Sequence, residues 1–385
     1  TNPAAARAAT SAFIPDQEVP YAITYTLSIQ RQFLKDWSVE ARYLGTRGVH
    51  LLAQSRINRQ PLVSPALGGL PTYLARPTQA QLDALTLNLD QINARSSIVP
   101  AYAAAGFNVN NIIGFLSNGN SSYHGFSTQL TRRFSGGLQA TAAYTWSHLI
   151  DDSTAEVFST VLSPRRVQDF QNFSAEKADS ALDRRHRFVL SGLYELPFFK
   201  SGGLKRALLG GFSFAGTLTF ESGEHATVLS GIDSNLNGDA AGDRAIINPN
   251  GARGTSSAVT ALTNSVGKIV GYLADNPNAE YIRAGRGAVA TAGRNTLPLP
   301  GIENLDFSVF KNFALTETMR FQFRVDFYNA FNHPQYIPGS PNVVVPITTT
   351  AVGNINTVGS ASFNKPEEIF SSNPRIIQLG LRFNF

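Results

Sequence analysis

The chain closes on Ile377-Gln-Leu-Gly-Leu-Arg-Phe-Asn-Phe385, where Ile377, Leu379, Leu381, Phe383 and Phe385 alternate with Gln378, Gly380, Arg382 and Asn384. A period of two puts successive side chains on opposite faces, so this reads as a β-strand with one apolar and one polar face. Working back, the same pattern recurs at Met319–Phe327, Phe212–Glu221, Leu138–Ser147 and Ile23–Gln30. Four less regular runs fit beside them: Trp37–Thr46, Tyr123–Phe134, Phe188–Phe198 and Leu305–Phe313. Five and four make nine strands, most of them near the about 9–11 residues that a tilted strand needs to cross a bilayer.

A soluble antiparallel sandwich also alternates. Two features weigh against it. The apolar faces are rich in aromatics that gather near strand ends (Phe33, Trp37, Phe134, Trp146, Phe198, Phe313), as interfacial girdles do. The polar faces carry charge at mid-strand, at Glu40, Arg42, Arg324 and Asp326, which is inexpensive only if those faces meet a watery lumen. The expected fold is therefore all-β, a transmembrane antiparallel β-barrel.

Composition agrees. The 385 residues are 43% hydrophobic and only 15% charged, against about 25% charged in soluble chains. With no cysteine, disulfide scaffolds, zinc-thiolate sites and cysteine nucleophiles are excluded. The net charge of +5 is scattered, without the Lys/Arg block of a nucleic-acid binder. The charge-free stretch Ala207–Phe220 is glycine-broken and falls short of the about 20 apolar residues a spanning helix needs. Nothing near Thr1 has the layout of a secretory signal.

Connections alternate between short (Leu34–Asp36, Ser135–Gly137, Lys200–Gly210, Ala314–Thr318) and long (48–122, 151–187, 222–303, 332–374). Outer-membrane barrels have short periplasmic turns and long external loops, so the long set is expected outside. The first strand then descends, and Thr1–Pro20 becomes the tail of an external loop. Nine strands cannot close a single-chain bacterial barrel, which takes an even number so that no edge is left in lipid. The expectation is that residues 1–385 are the C-terminal part of a larger barrel. The other reading is a strand overlooked in a long loop, for which Val343–Val345 is the best candidate.

The terminal pattern Gln378, Gly380, Phe383, Phe385 resembles the signal read by the outer-membrane barrel assembly machinery. The rest resembles TonB-dependent outer-membrane receptors of the Oar-like type, which carry a carboxypeptidase-regulatory-like domain. The blocks that carry the likeness are Pro20-Tyr-Ala-Ile-Thr-Tyr-Thr-Leu-Ser-Ile-Gln-Arg31, Ser122-Tyr-His-Gly-Phe-Ser-Thr-Gln-Leu-Thr-Arg-Arg-Phe134, Ala143-Tyr-Thr-Trp-Ser147, Asp183-Arg-Arg-His-Arg-Phe188, Gly293-Arg-Asn-Thr296 and Phe327-Tyr-Asn-Ala-Phe-Asn-His-Pro334. The resemblance implies TonB-driven import of a large or scarce ligand, with outer-membrane lipid and lipopolysaccharide as surroundings and no catalysis. The family's N-terminal domain, plug and TonB-engaging motif have no counterpart in residues 1–385, so a TonB contact is expected through a region outside them. A structural or adhesive barrel component and a passive porin are the alternative readings.

Local motifs add one metal candidate. Asp233-Ser-Asn-Leu-Asn-Gly-Asp239, with Asp243, places oxygen donors at alternate positions before a glycine turn, like the first half of a calcium loop. Its candidate ligands are Asp233, Asn235, Asn237, Asp239 and Asp243. Arg244 stands where a bidentate Glu belongs, and a solvated Asx-rich turn is the competing reading. The six histidines share no metal spacing and read as rim residues. Ser147-His148 with Asp151-Asp152 contains triad residue types without implying triad geometry. Asp183–Arg187 reads as a solvated rim, with salt bridges or lipopolysaccharide phosphates the sharper alternatives. Thr78-Gln-Ala-Gln81 opens a capped amphipathic helix through Leu82, Leu85, Leu89 and Ile92.

Overall fold

The computed structural model describes residues 2–8, 14, 16–108, 111–153, 166–198, 209–314, 316, 319–336, 355–369 and 373–385. Nine strands pair in chain order in one antiparallel sheet: β1 (Tyr21–Leu34), β2 (Trp37–Arg56), β3 (Ile113–Ser135), β4 (Leu138–Asp151), β5 (His186–Glu195), β6 (Phe212–Glu221), β7 (Ile302–Ala314), β8 (Arg320–Tyr328) and β9 (Ile376–Asn384). Among the described residues β1 and β9 each have one strand neighbour, and the two-residue strand Ala178–Asp179 adds to β4.

Register decides what each face is made of, because residues paired across an antiparallel ladder share a face. One row runs Val39, Leu130, Ala142, Leu190, Leu218, Leu305 across six strands. Another runs Tyr194, Phe214, Val309, Val325, Leu379. The opposite face carries Ser191, Thr217 and Asp306 in one row and Ser308, Asp326 and Gln378 in another. A slip of one residue anywhere would exchange the two faces, yet the phase holds through eight successive pairings.

The apolar rows are not a water-soluble core. Tyr25, Leu27, Val39, Phe126, Trp146, Leu190, Leu379 and Leu381 are all exposed. Among the described residues the buried apolar side chains come from the long connections, with Ala53 of β2 the exception. A contiguous exposed apolar surface of this extent needs an apolar solvent, and a bilayer supplies one.

The short ends follow simple turn chemistry. Between β3 and β4 the chain reverses through Gly136 and Gly137 at φ 60° and 85°, the pair of positive φ values that a two-residue type I′ hairpin demands. Part of the 200–210 connection lies outside the described residues.

The long connections correct the sequence reading in three ways. First, β2 and β3 run past the expected ends, to Arg56 and back to Ile113, so the first long connection is 57–112 rather than 48–122. His50, at φ 57°, and the register shifts between Gly48 and Ala53 break the alternation there. Second, the connections form a folded cap. Val259–Thr263 pairs with Ile269–Ala274, which on its other side pairs with Thr72–Tyr73 of a different connection. Val228, Tyr281, Leu297, Ile355 and Val358 share one dry cluster, and Leu62, Leu70, Ile92, Leu236 and Tyr272 share a second. Third, the expected helix is two short helices. Gln79–Asp83 and Leu89–Asn93 each start with a complete capping box, Thr78 with Gln81 and Asn88 with Gln91. The second cap ends the run that the apolar spacing suggested was continuous. Leu82 then packs on Leu262 and Val270, within the cap. Val343–Val345 lies outside the described residues.

Candidate functional site

The cap stands over the long-loop end of the sheet, and arginines fasten it there. Arg294, from the cap, pairs with Asp151 at the end of β4; the two side chains are 3% and 7% exposed. Arg244 Nη1 donates to Glu176 Oε2 at 2.9 Å. Arg56, the last residue of β2, lies 3.1 Å from Asp239 through Nε, and Arg166 donates to the same carboxylate. Arg184 binds Glu221 of β6 and Glu224 beyond it. Buried pairs of this kind hold geometry because removing one member strands the other.

The oxygen-rich loop sits inside this frame. Asp233 accepts the amides of Asn237 (3.1 Å) and Gly238 (2.9 Å), Asn235 Oδ1 accepts that of Asn237 (3.0 Å), and Asn237 Oδ1 accepts that of Asp239 (2.7 Å). Gly238 takes φ 86°, the conformation reserved for the glycine of such turns. Leu236 also has positive φ, at 63°, and its buried side chain anchors the loop in the second apolar cluster. Asp243 folds back so that Oδ2 accepts the amides of Ser234 (2.5 Å) and Asn235 (3.2 Å). Burial, and then the neighbouring Asp233, push the Asp243 carboxyl well above the usual carboxylate range. Of the five candidate ligands, Asp233, Asn235, Asn237 and Asp243 are gathered by these bonds. The Asp239 side chain is engaged by Arg56 and Arg166 instead.

A cavity of ≈ 360 Å³ opens beside the loop, lined by Asn235, Gln168, Arg244 and Asp169 on its polar side. It shares Pro61, Ser64, Pro65, Asp169 and Asn172 with a neighbouring one of ≈ 730 Å³, so the two form one cleft in the cap. Burial raises the pKa of Asp169 in that cleft.

The histidines do not converge. Tyr43 Oη lies 2.8 Å from His124 Nδ1 and Tyr144 Oη 2.8 Å from His186 Nδ1, both among aromatics of the apolar face. Among the described residues His148, Asp179 and Asp183 are the one trio drawn from His, Asp and Glu whose donor atoms lie close enough to share a metal. Arg185 pairs with both carboxylates, at 3.0 and 3.3 Å. Ser147 donates to the Arg184 carbonyl (2.8 Å), and as successive strand residues Ser147 and His148 point to opposite faces. The Asp183–Arg187 run is an ion-pair network rather than a freely solvated rim, since Arg184, Arg185 and Arg187 each hold a carboxylate. Sequence reading passed over Arg294 and Arg244 as site residues. The signal they offered was slight: Arg294 is a single arginine in a stretch nearly free of charge, and Arg244 follows the acidic loop Asp233–Asp243.

Comparison with known proteins agrees with this architecture. The family described as "Outer membrane beta barrel domain" matches residues 1–378. The chain belongs to that family. Its strands are those of an outer-membrane β-barrel domain, and the bacterial outer membrane is where it resides. No curated protein matches. Among solved structures, the chain is similar to the ferripyoverdine receptor of the outer membrane of Pseudomonas aeruginosa, with 11% identity, TM-score 0.40, and 95% of this chain and 27% of that chain covered. It is similar to the outer membrane transporter YddB from Escherichia coli, with 9% identity, TM-score 0.38, and 96% and 33% covered. It is also similar to the ferric-catecholate import receptor Fiu from E. coli K12, with 10% identity, TM-score 0.39, and 98% and 30% covered. The chain spans a third or less of the length of each of these structures.

Proposed function

We propose that this barrel domain serves TonB-dependent uptake across the outer membrane, as part of a receptor of the Oar-like type, for a ligand too large or scarce for open pores. The observation that carries the reading is the folded cap: long external connections packed around their own cores and cleft, over a sheet whose inner rows are polar. A passive pore has no use for a pinned platform across its mouth, whereas a receptor has to present a binding surface. Among the described residues β1 and β9 each have one strand neighbour, which fits a wall completed by further strands, and TonB engagement is assigned on this reading to regions other than residues 1–385. The C-terminal pattern Gln378, Gly380, Phe383, Phe385 is assigned to the assembly machinery, and the aromatic apolar face to lipid and lipopolysaccharide. No catalytic step is assigned.

The test uses the full-length protein in planar bilayers and in cells. Expected are no steady open-channel conductance without energisation and co-purification of TonB after cross-linking. A stable conductance without energisation overturns energised uptake in favour of a passive porin. Absence of any TonB contact together with a closed channel favours a structural or adhesive barrel.

A further inference from the structure

We propose that the loop Asp233–Asp243 of the external cap binds one calcium ion, held by Asp233, Asn235, Asn237 and Asp243. The inference stands apart from the uptake reading and concerns what fixes the cap. Its decisive observation is the Asp243 carboxylate. The residue is fully buried, Oδ2 is docked on the amides of Ser234 and Asn235, and Oδ1 has no hydrogen-bond partner. Buried polar atoms are almost always satisfied, and a buried carboxyl oxygen left alone is among the exceptions that call for a ligand. Because its twin oxygen is tied to the loop backbone, Oδ1 is held against the same loop as the other donors.

Those donors are poised rather than consumed. Each side-chain oxygen of Asp233, Asn235 and Asn237 accepts an amide hydrogen bond, and a carboxylate or amide oxygen keeps a second lone pair for a cation. The nearby guanidinium groups make their hydrogen bonds to acceptors other than the four ligands, Arg56 among them through Nη1 to the Gly238 carbonyl of the loop. Arg59 donates to Asn111 (2.6 Å) and Ser97 (3.1 Å), while Arg56 and Arg166 are on Asp239. Asp233 and Asp243 together supply two negative charges to match a divalent ion. An all-oxygen set with no His or Cys selects a hard cation, and an irregular loop suits calcium better than magnesium, which insists on octahedral geometry and keeps its waters. Asp243, one position short of the usual closing acid, takes over the closing role while Arg244 turns to Glu176. The site is empty.

Full-length protein, extracted in detergent, stripped with EGTA and desalted, is titrated with CaCl2 in a calorimeter. Expected is one ion per chain with a Kd of about 10⁻⁴–10⁻³ M, the range of extracellular calcium modules. Asp243→Asn and Asp233→Asn, in protein that still shows heat-modifiable migration, weaken binding by roughly tenfold or more through loss of ligand charge. EGTA lowers the cap's near-UV melting midpoint in the unmutated protein, CaCl2 restores it, and MgCl2 at the same concentration does not. Wild-type protein that takes up no calcium, an Asp243→Asn variant that binds like wild type, or a melting midpoint indifferent to EGTA each overturns the proposal. Should the variants fail to fold, the chelator experiment on the unmutated protein decides alone.

Discussion

Arg294 reaches from the cap to the wall and meets Asp151 almost out of contact with water, whereas Arg187, 61% exposed, pairs with Glu221 at the rim. The two pairs look alike on paper and differ in solvent. Removing one member of a buried pair costs about 3–5 kcal/mol because the survivor is left charged and dry, while an exposed pair is worth about 0–1 kcal/mol. Arg294→Ala is therefore expected to lower the cap's melting midpoint strongly and open it to protease. Arg187→Ala is expected to leave both nearly unchanged. Near-UV circular dichroism and limited proteolysis of the two variants side by side check the contrast; equal effects would contradict it. The identity of Arg294 as a clamp was hidden in the sequence, since its partner lies 143 positions away and nothing local ties one residue to the other.

At the scale of single strands, Leu190 and Ser191 are neighbours in β5 that belong to opposite rows: Leu190 pairs with Ala142 and Leu218, Ser191 with Thr141 and Thr217. Arginine on the lipid face near the bilayer midplane costs about 2–4 kcal/mol, and lumen positions are tolerant. Leu190→Arg is expected to reduce the fraction of heat-modifiable protein and shift its urea midpoint down. Ser191→Arg leaves both close to wild type. β9 carries a second prediction. Phe385 is 92% exposed and stacks on Phe383, with ring centroids 5.9 Å apart. Phe385→Ala should therefore slow the appearance of folded protein in a pulse-chase experiment without moving the unfolding midpoint of the purified product. The strands were legible because each carries its own period of two. Legibility failed where that period failed, at the His50 irregularity in β2 and along the Asn- and Gly-rich start of β3, where pairing partners rather than side-chain pattern extend the ladder.

Over the whole molecule the apolar effect acts twice, toward lipid along the wall and toward a dry interior in the cap. Tyr281 joins the cap core at 1% exposure, with its hydroxyl donating to the Thr296 carbonyl at 3.0 Å. Truncating a buried aromatic costs about 3–5 kcal/mol. Tyr281→Ala is expected to dissolve the cap's near-UV signal and expose it to protease in intact cells while the wall keeps its heat-modifiable migration. Loss of both at once would show that cap and wall fold as one cooperative unit. The cap escaped sequence reading because its core draws single residues from connections far apart, Leu70, Val228, Tyr281 and Ile355 among them. No window of local sequence contains its pattern. The oxygen donors of Asp233–Asp243 were visible as a spacing, but the docking of Asp243 on the loop backbone and the diversion of Asp239 to arginines needed the fold.

The arginine fastenings have a consequence for traffic at the cell surface. A covering riveted at Asp151, Glu221 and Asp239 is a fixed awning, not a hinged door. On the uptake reading proposed above, freight arriving from outside is sorted on its surface and then led around its eaves. Widening the entrance means pulling rivets one by one, so mutants lacking them should admit bulky antibiotics that the intact protein keeps out.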